Sequence, residues 1–179
     1  MNSVESSRLI IRKAKSDENE RILEIFTDVT DWLQSKGINQ WDYSYPNLAI
    51  IERDIASQNT WVSIRDKHLV GTITLNQDFD EQYSQVLWEN RIEVEDAWCI
   101  HRLAVDPKHF SNKIGKKLCL FAEEYIKKQG GTAIRLDAYS INPISNSMYQ
   151  KLGYFLREGN LYFHKNEIPF NAYEKLLLH

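Results

Sequence analysis

The residues best suited to chemistry concentrate in His101-Arg102-Leu103-Ala104-Val105-Asp106-Pro107 and the segment after it. The first part is apolar and β-branched enough for a buried strand. Pro107 has no N–H to give a ladder, so the strand ends there. Ser111 and Asn112 favour a turn. A helix opens at Gly115, because Ile114, Leu118, Phe121, Ala122, Tyr125 and Ile126 recur on one helical face. The first amides of such a helix lack internal partners, and its dipole adds positive potential. Strand, polar loop and helix start therefore suit a phosphate or pyrophosphate; an ordinary crossover without ligand has the same pattern. On the strand, alternation puts Ala97, Cys99, His101, Leu103 and Val105 on one face and Arg102 on the other. His101 is the only group on that face that titrates near neutrality. It is the candidate general base, against the alternative of a satisfied core histidine.

Two ordered segments carry a resemblance. Leu103-Ala104-Val105-Asp106-Pro107 runs into a loop that keeps Gly115. Downstream comes Asn142-Pro143-Ile144-Ser145-Asn146-Ser147-Met148-Tyr149-Gln150-Lys151-Leu152-Gly153-Tyr154. The first resembles the acetyl-CoA motif of the GNAT N-acetyltransferase superfamily, a strand followed by Arg/Gln-x-x-Gly-x-Gly/Ala. The second is similar to that superfamily's Asn-x-x-Ala-x-x-Leu-Tyr-x-Lys-x-Gly-Phe. Phe110, Lys113 and Ser145 depart from the patterns, standing where Arg or Gln, Gly and Ala are usual. Where the usual glycine has positive φ, a lysine costs roughly 1 kcal/mol or more. Its ammonium could offset that by meeting a phosphate oxygen.

The resemblance implies an α/β fold: a mixed, splayed central sheet with helices on both faces and the cofactor wedged between two parallel strands. It implies acetyl-CoA as cofactor. Leu103 and Val105 would bond the pantetheine arm through their amides, and Ala104 would also contact the cofactor. Ser111, Asn112, Lys113, Ile114, Gly115 and Lys116 would hold the pyrophosphate, and Asn142 would add a contact. Tyr149 would protonate the departing sulfur. Trp32, Trp41 and Trp88 would line the acceptor pocket. Superfamily members often place a glutamate on the face where His101 stands; here there is none. The activity implied is transfer of an acetyl group to a primary amine of a small molecule. The alternatives are an acyl-CoA sensor without turnover and an acetyltransferase acting on protein. The reading invokes no metal.

The elements that must position these residues are legible as patterns. Arg8 to Arg12 reads as a strand. Ile22, Phe26, Val29 and Leu33 form a helical stripe after a cap at Ser16 or Asp17, and Gly37 stops it. Pro46 suits the first turn of a second helix bearing Leu48, Ile51 and Ile55. Trp61–Arg65 and Leu69–Leu75 alternate as a hairpin. Asn76 to Glu95 is polar and irregular. Ala97–Val105 is the central strand, and Ile134–Tyr139 follows its helix as a parallel neighbour. A short helix carries Tyr149. Phe155-Leu156, Leu161–Phe163 and Phe170–Leu178 read as strands. The order is β-α-α-β-β-β-α-β-α-β-β.

A chain of 179 residues with no candidate linker is expected to form one domain, residues 1–179. A net charge of −3 gives nucleic acid no electrostatic reason to bind. No apolar run is long enough for a signal peptide or a membrane span. Cys99 and Cys119 read as buried free thiols, which fits a reducing cytoplasm; a monomer or homodimer is expected.

Overall fold

A two-residue turn at Asp66-Lys67 reverses the chain, and both residues take positive φ, 50° and 68°. That turn matches the right-handed twist of the strands it joins. The computed structural model describes residues 8–89, 92–163 and 167–177. Its elements are β1 (Ile10–Lys13), α1 (Asn19–Gln34), α2 (Leu48–Ala56), β2 (Thr60–Arg65), β3 (His68–Asn76) and β4 (Ala97–Val105). There follow α3 (Ile114–Lys128), β5 (Ala133–Tyr139), α4 (Pro143–Lys151), β6 (Phe155–Leu161) and β7 (Phe170–Leu176). This is the order read from the sequence.

The strands form one mixed sheet in the order β1-β2-β3-β4-β5-β7-β6. Among the described residues only β4 and β5 pair in parallel. Apolar side chains alternate to both faces, so helices cover both. Ile22, Ile25 and Phe26 of α1 and Ile51 and Ile55 of α2 pack with Val62, Cys99 and Ala104 on one face. Leu118, Ala122 and Ile126 of α3 pack with Val70, Ile73, Ile100 and Leu136 on the other.

Several expectations need correction. Pro46 precedes α2 rather than opening it; Asn47 caps that helix, its side chain accepting from the Ile50 N–H. Phe155-Leu156 and Leu161 belong to one strand, and Tyr162 and Phe163 lie beyond it. The strand reads as two because its register breaks between Leu156 and Asn160. Gly159 sits in that break with φ 137°, where a Cβ would fall 3.0 Å from the Val86 backbone. Leu178 lies outside the described residues.

The correction that matters most for the site is in β4. Strict alternation fails at Arg102, whose φ is 46°. His101 pairs with Thr74 and Ala104 with Thr72, so Arg102 and Leu103 together oppose Ile73. This is a β-bulge, and it switches the faces of everything after it. Cys99 and His101 face the α1/α2 side, where Sγ and Nδ1 lie 3.8 Å apart. Leu103 and Val105 face α3. Arg102 does not point away from His101: it reaches α2, where its guanidinium meets Asp54 at 2.6 Å.

Candidate active site

The parallel pair is short. Ala97, Trp98 and Cys99 pair with Ala133, Ile134 and Arg135, and there the pairing of β4 with β5 ends. Beyond Cys99 the two strands part. The Asp106 N–H donates to the Val70 carbonyl at 2.9 Å, toward β3. Alternation then turns the Ala104 N–H toward β3 and those of Leu103 and Val105 into the gap. Ala104 lines the cavity, while its amide belongs to the β3 side.

A cavity of about 890 Å³ fills the gap, with Leu103, Val105, Gly115, Ala138, Met148 and Tyr149 in its walls. One end reaches the loop before α3. Pro107–Asn112 forms a 3₁₀ turn and Lys113 takes φ 56°, the left-handed conformation usual for glycine. The first helical bond runs from the Lys117 N–H to the Lys113 carbonyl, so the amides of Ile114, Gly115 and Lys116 have no partner within the helix. A Cβ on Gly115 would lie 3.3 Å from Met148 Sδ, so glycine lets α3 close against α4. Lys113 and Lys116 line the cavity; Ser111 and Asn112 do not, and the Ile114 side chain is core. Phe110 packs edge-on against Trp32, ring centroids 4.9 Å apart. Trp32 therefore belongs to this end of the cavity rather than to an acceptor pocket.

Asn142 is a helix cap more than a ligand contact. Its Oδ1 accepts from the Ile144 and Ser145 N–H groups and its Nδ2 donates to Gln40 Oε1 at 2.9 Å, though it does line the cavity. Tyr149 is 5% exposed, with its ring against Tyr154 and Tyr173. Among the described residues no hydrogen-bond partner meets its hydroxyl, and the side chain forms part of the cavity wall. Burial drives its pKa well above the usual phenol value, so it keeps its proton.

The far end carries Tyr45, Asp80, His101, Arg102 and Asp137, with Trp41 beside them. Trp88 is not in the wall. It stacks on Tyr83 at 5.3 Å and lies 4.9 Å from the Arg135 guanidinium. His101 is poorly fitted as a base. Its Nε2 lies 2.9 Å from the Asp78 carbonyl, which assigns the proton to that nitrogen. Burial, reinforced by the Arg102 charge, lowers its pKa to about 4.

Asp137 on β5 is the group that sequence reasoning missed. Burial raises its carboxyl to about 6, with Asp80 adding to the rise, while a Tyr83 hydrogen bond and Arg102 oppose it. The signal was an acidic residue interrupting Ile134-Arg135-Leu136-Asp137-Ala138, a strand buried on both faces. Arg135, Asp137 and Tyr139 share its α1/α2 face.

The acetyltransferase (GNAT) family model matches residues 20–154, which include both parted strands, the loop before α3 and Tyr149. The chain belongs to the GNAT acetyltransferase family. It is 26% identical over 140 residues to the uncharacterized N-acetyltransferase YesJ of Bacillus subtilis, spanning 77% of each chain. A GNAT-family acetyltransferase of Streptococcus agalactiae superposes with TM-score 0.77 at 23% identity, over 94% of this chain and 95% of that one. The PaiA N-acetyltransferase of Thermoplasma acidophilum, solved with coenzyme A, gives 0.71 at 21% identity over 94% and 99%. In this GNAT enzyme the parted strands and the loop before α3 form one continuous cleft.

Proposed function

We propose that this acetyltransferase moves an acetyl group from acetyl-CoA to the primary amine of a small molecule. The observation that carries the reading is the parting of β4 from β5, which frees the Leu103 and Val105 amides beside Tyr149. The residues present fit the cofactor. Two strand amides can take a pantetheine arm, and the open amides of Ile114, Gly115 and Lys116 can take a pyrophosphate. Acetyl-CoA supplies the acetyl group activated as a thioester. A strand amide aimed into the gap stabilises charge that develops on the acetyl oxygen. Tyr149 holds the proton that the departing sulfur requires. Asp137, rather than His101, takes the proton that the acceptor ammonium must lose. Tyr45, Trp41 and Asp80 surround the acceptor. Cys99 and Cys119 are buried free thiols, which fits a reducing cytoplasm.

The test is a panel of alkylamines, diamines, amino acids and a lysine-containing peptide, each supplied with acetyl-CoA and read by release of free thiol. Turnover is expected on small amines. Acetylation of the peptide alone would replace the small-molecule acceptor with a protein one.

A further inference from the structure

The long connection between β3 and β4 is fastened over the acceptor end by a chain of contacts that ends on Asp137. Glu174 on β7 is fully buried and accepts from Arg135 Nε at 2.9 Å and from the Glu89 N–H at 2.9 Å. The Arg135 guanidinium lies under the Trp88 ring. Trp88 stacks on Tyr83, and its Nε1 donates to the Tyr83 carbonyl at 2.8 Å. Tyr83 is 3% exposed, and its hydroxyl donates to Asp137 Oδ1 at 2.9 Å.

We propose that Tyr83 is a positioning residue for the acetyl-transfer reaction: it holds Asp137 Oδ1 so that Oδ2 is the oxygen presented to the acceptor amine. The inference rests on Asp137 as the acceptor-side base. Among the described residues Tyr83 is the one side chain that hydrogen-bonds the Asp137 carboxyl, and Asp137 is part of the cavity wall. A carboxyl free to turn would present either oxygen, or neither, to the amine. The hydroxyl fixes one rotamer and favours the ionised form, since it donates to the carboxylate. It also fills the space between Asp137 and Cys99, whose Sγ lies 3.4 Å from the Tyr83 hydroxyl oxygen. The groups that set the charge state of Asp137 come from several elements. Asp80 and Tyr83 stand on the connection, and Tyr45 stands before α2. Cys99 and Arg102 lie on β4, with His101 beyond Cys99 and Asp54 neutralising Arg102. Tyr149 faces from α4, and Arg135 and Tyr139 flank it on β5.

The experiment compares wild type, Tyr83→Phe, Asp137→Asn and the double variant. It measures kcat/KM against pH with an amine that the panel identifies, and titrates the Asp137 carboxyl by ¹³C NMR. Wild type should show an inflection near pH 6. Tyr83→Phe keeps the ring and its stacking. It should move the inflection and the NMR midpoint to higher pH and lower kcat/KM roughly tenfold below pH 6, the effect of one charge-assisted hydrogen bond. Raising the pH should recover the part of that loss due to protonation and leave the part due to the freed rotamer. The double variant should be no slower than Asp137→Asn alone. A loss of equal size at every pH, with the NMR midpoint unmoved, would overturn the role of Tyr83. An Asp137→Asn enzyme that keeps full activity and its inflection would instead overturn Asp137 as the base.

Discussion

Tyr149 and His101 are the two side chains that the sequence offers for proton transfer, and burial treats them oppositely. Burial raises the phenol and keeps it a donor. Burial lowers the imidazole to about 4 and leaves it neutral through the working range. Tyr149→Phe retains the ring contacts with Tyr154 and Tyr173 and removes only the proton. It should lower kcat by ~10²–10⁴-fold, the usual worth of general-acid assistance, with acetyl-CoA affinity nearly unchanged. Stopped-flow or steady-state kinetics with a calorimetric Kd checks both halves; a Phe variant within twofold of wild type would return Tyr149 to the core. For His101 the sign of the stability effect follows from its depressed pKa. Between about pH 6.5 and about 4 the unfolded chain takes up a proton that the folded chain refuses. Stability contributed by the neutral ring is thus full above 6.5 and is lost as the pH falls through this window. Asp137, raised to about 6, acts with the opposite sign over its own window and partly masks the loss. The clean observable is the difference in denaturation midpoint between wild type and His101→Gln. That difference should shrink as the pH falls from 6.5 toward 4, and a difference independent of pH would contradict the buried neutral ring.

At the scale of elements, the bulge in β4 decides which amides face the cleft, and α2 holds the bulge from outside. Arg102 sits in a left-handed conformation, which costs of order 1–3 kcal/mol for a side-chain-bearing residue. Its guanidinium is tied to Asp54 at 2.6 Å and to the Tyr45 hydroxyl at 3.2 Å. Asp54 is 4% exposed, so removing its charge strands a buried cation. Asp54→Asn should cost about 3–5 kcal/mol of stability and weaken acetyl-CoA binding, read by chemical denaturation and calorimetry. A destabilised variant with native affinity would separate the ion pair from the bulge. Elements of this kind were largely legible in the sequence. The stripes at Ile22, Phe26 and Leu33 and at Leu118, Ala122 and Ile126 repeat at helical spacing, and Pro107 ends β4 where expected. The bulge was not legible, because period-2 reading assumes an unbroken strand and Arg102 is no glycine. Its consequence was the misplacement of His101 with Leu103 and Val105. Asp137 was missed for a related reason: burial of a carboxylate depends on which loop closes over it, and that loop is fastened by residues as distant as Glu174.

On the scale of the molecule, the sheet consists of two antiparallel blocks, β1-β2-β3-β4 and β5-β7-β6. Three paired residues on each strand join them in parallel. Past that join, β4 and β5 share no ladder, and α3 and α4 stand on either side of the gap. A ligand lying along the gap meets Leu103 and Val105 of one block and the Met148–Tyr149 turn of α4, which follows β5 in the other. Binding it therefore stabilises both blocks at once. Because the unfolded chain has no such cleft, stabilisation follows mass action. Acetyl-CoA at ~100 times its Kd should add about 2.7 kcal/mol. For a domain of this length each kcal/mol raises Tm by about 2–4 °C, so a rise of roughly 5–11 °C is expected. Coenzyme A should give much of the same rise, since the open amides before α3 and the strand amides do not require the acetyl group. Acetate alone should give none. Gly115→Val brings a branched side chain against Met148 Sδ, already 3.3 Å from where a Cβ would stand, and should reduce the ligand-induced rise. Differential scanning fluorimetry across a ligand titration measures all of these. A Tm indifferent to millimolar acetyl-CoA in the wild-type protein would mean that the gap between β4 and β5 is not the cofactor site.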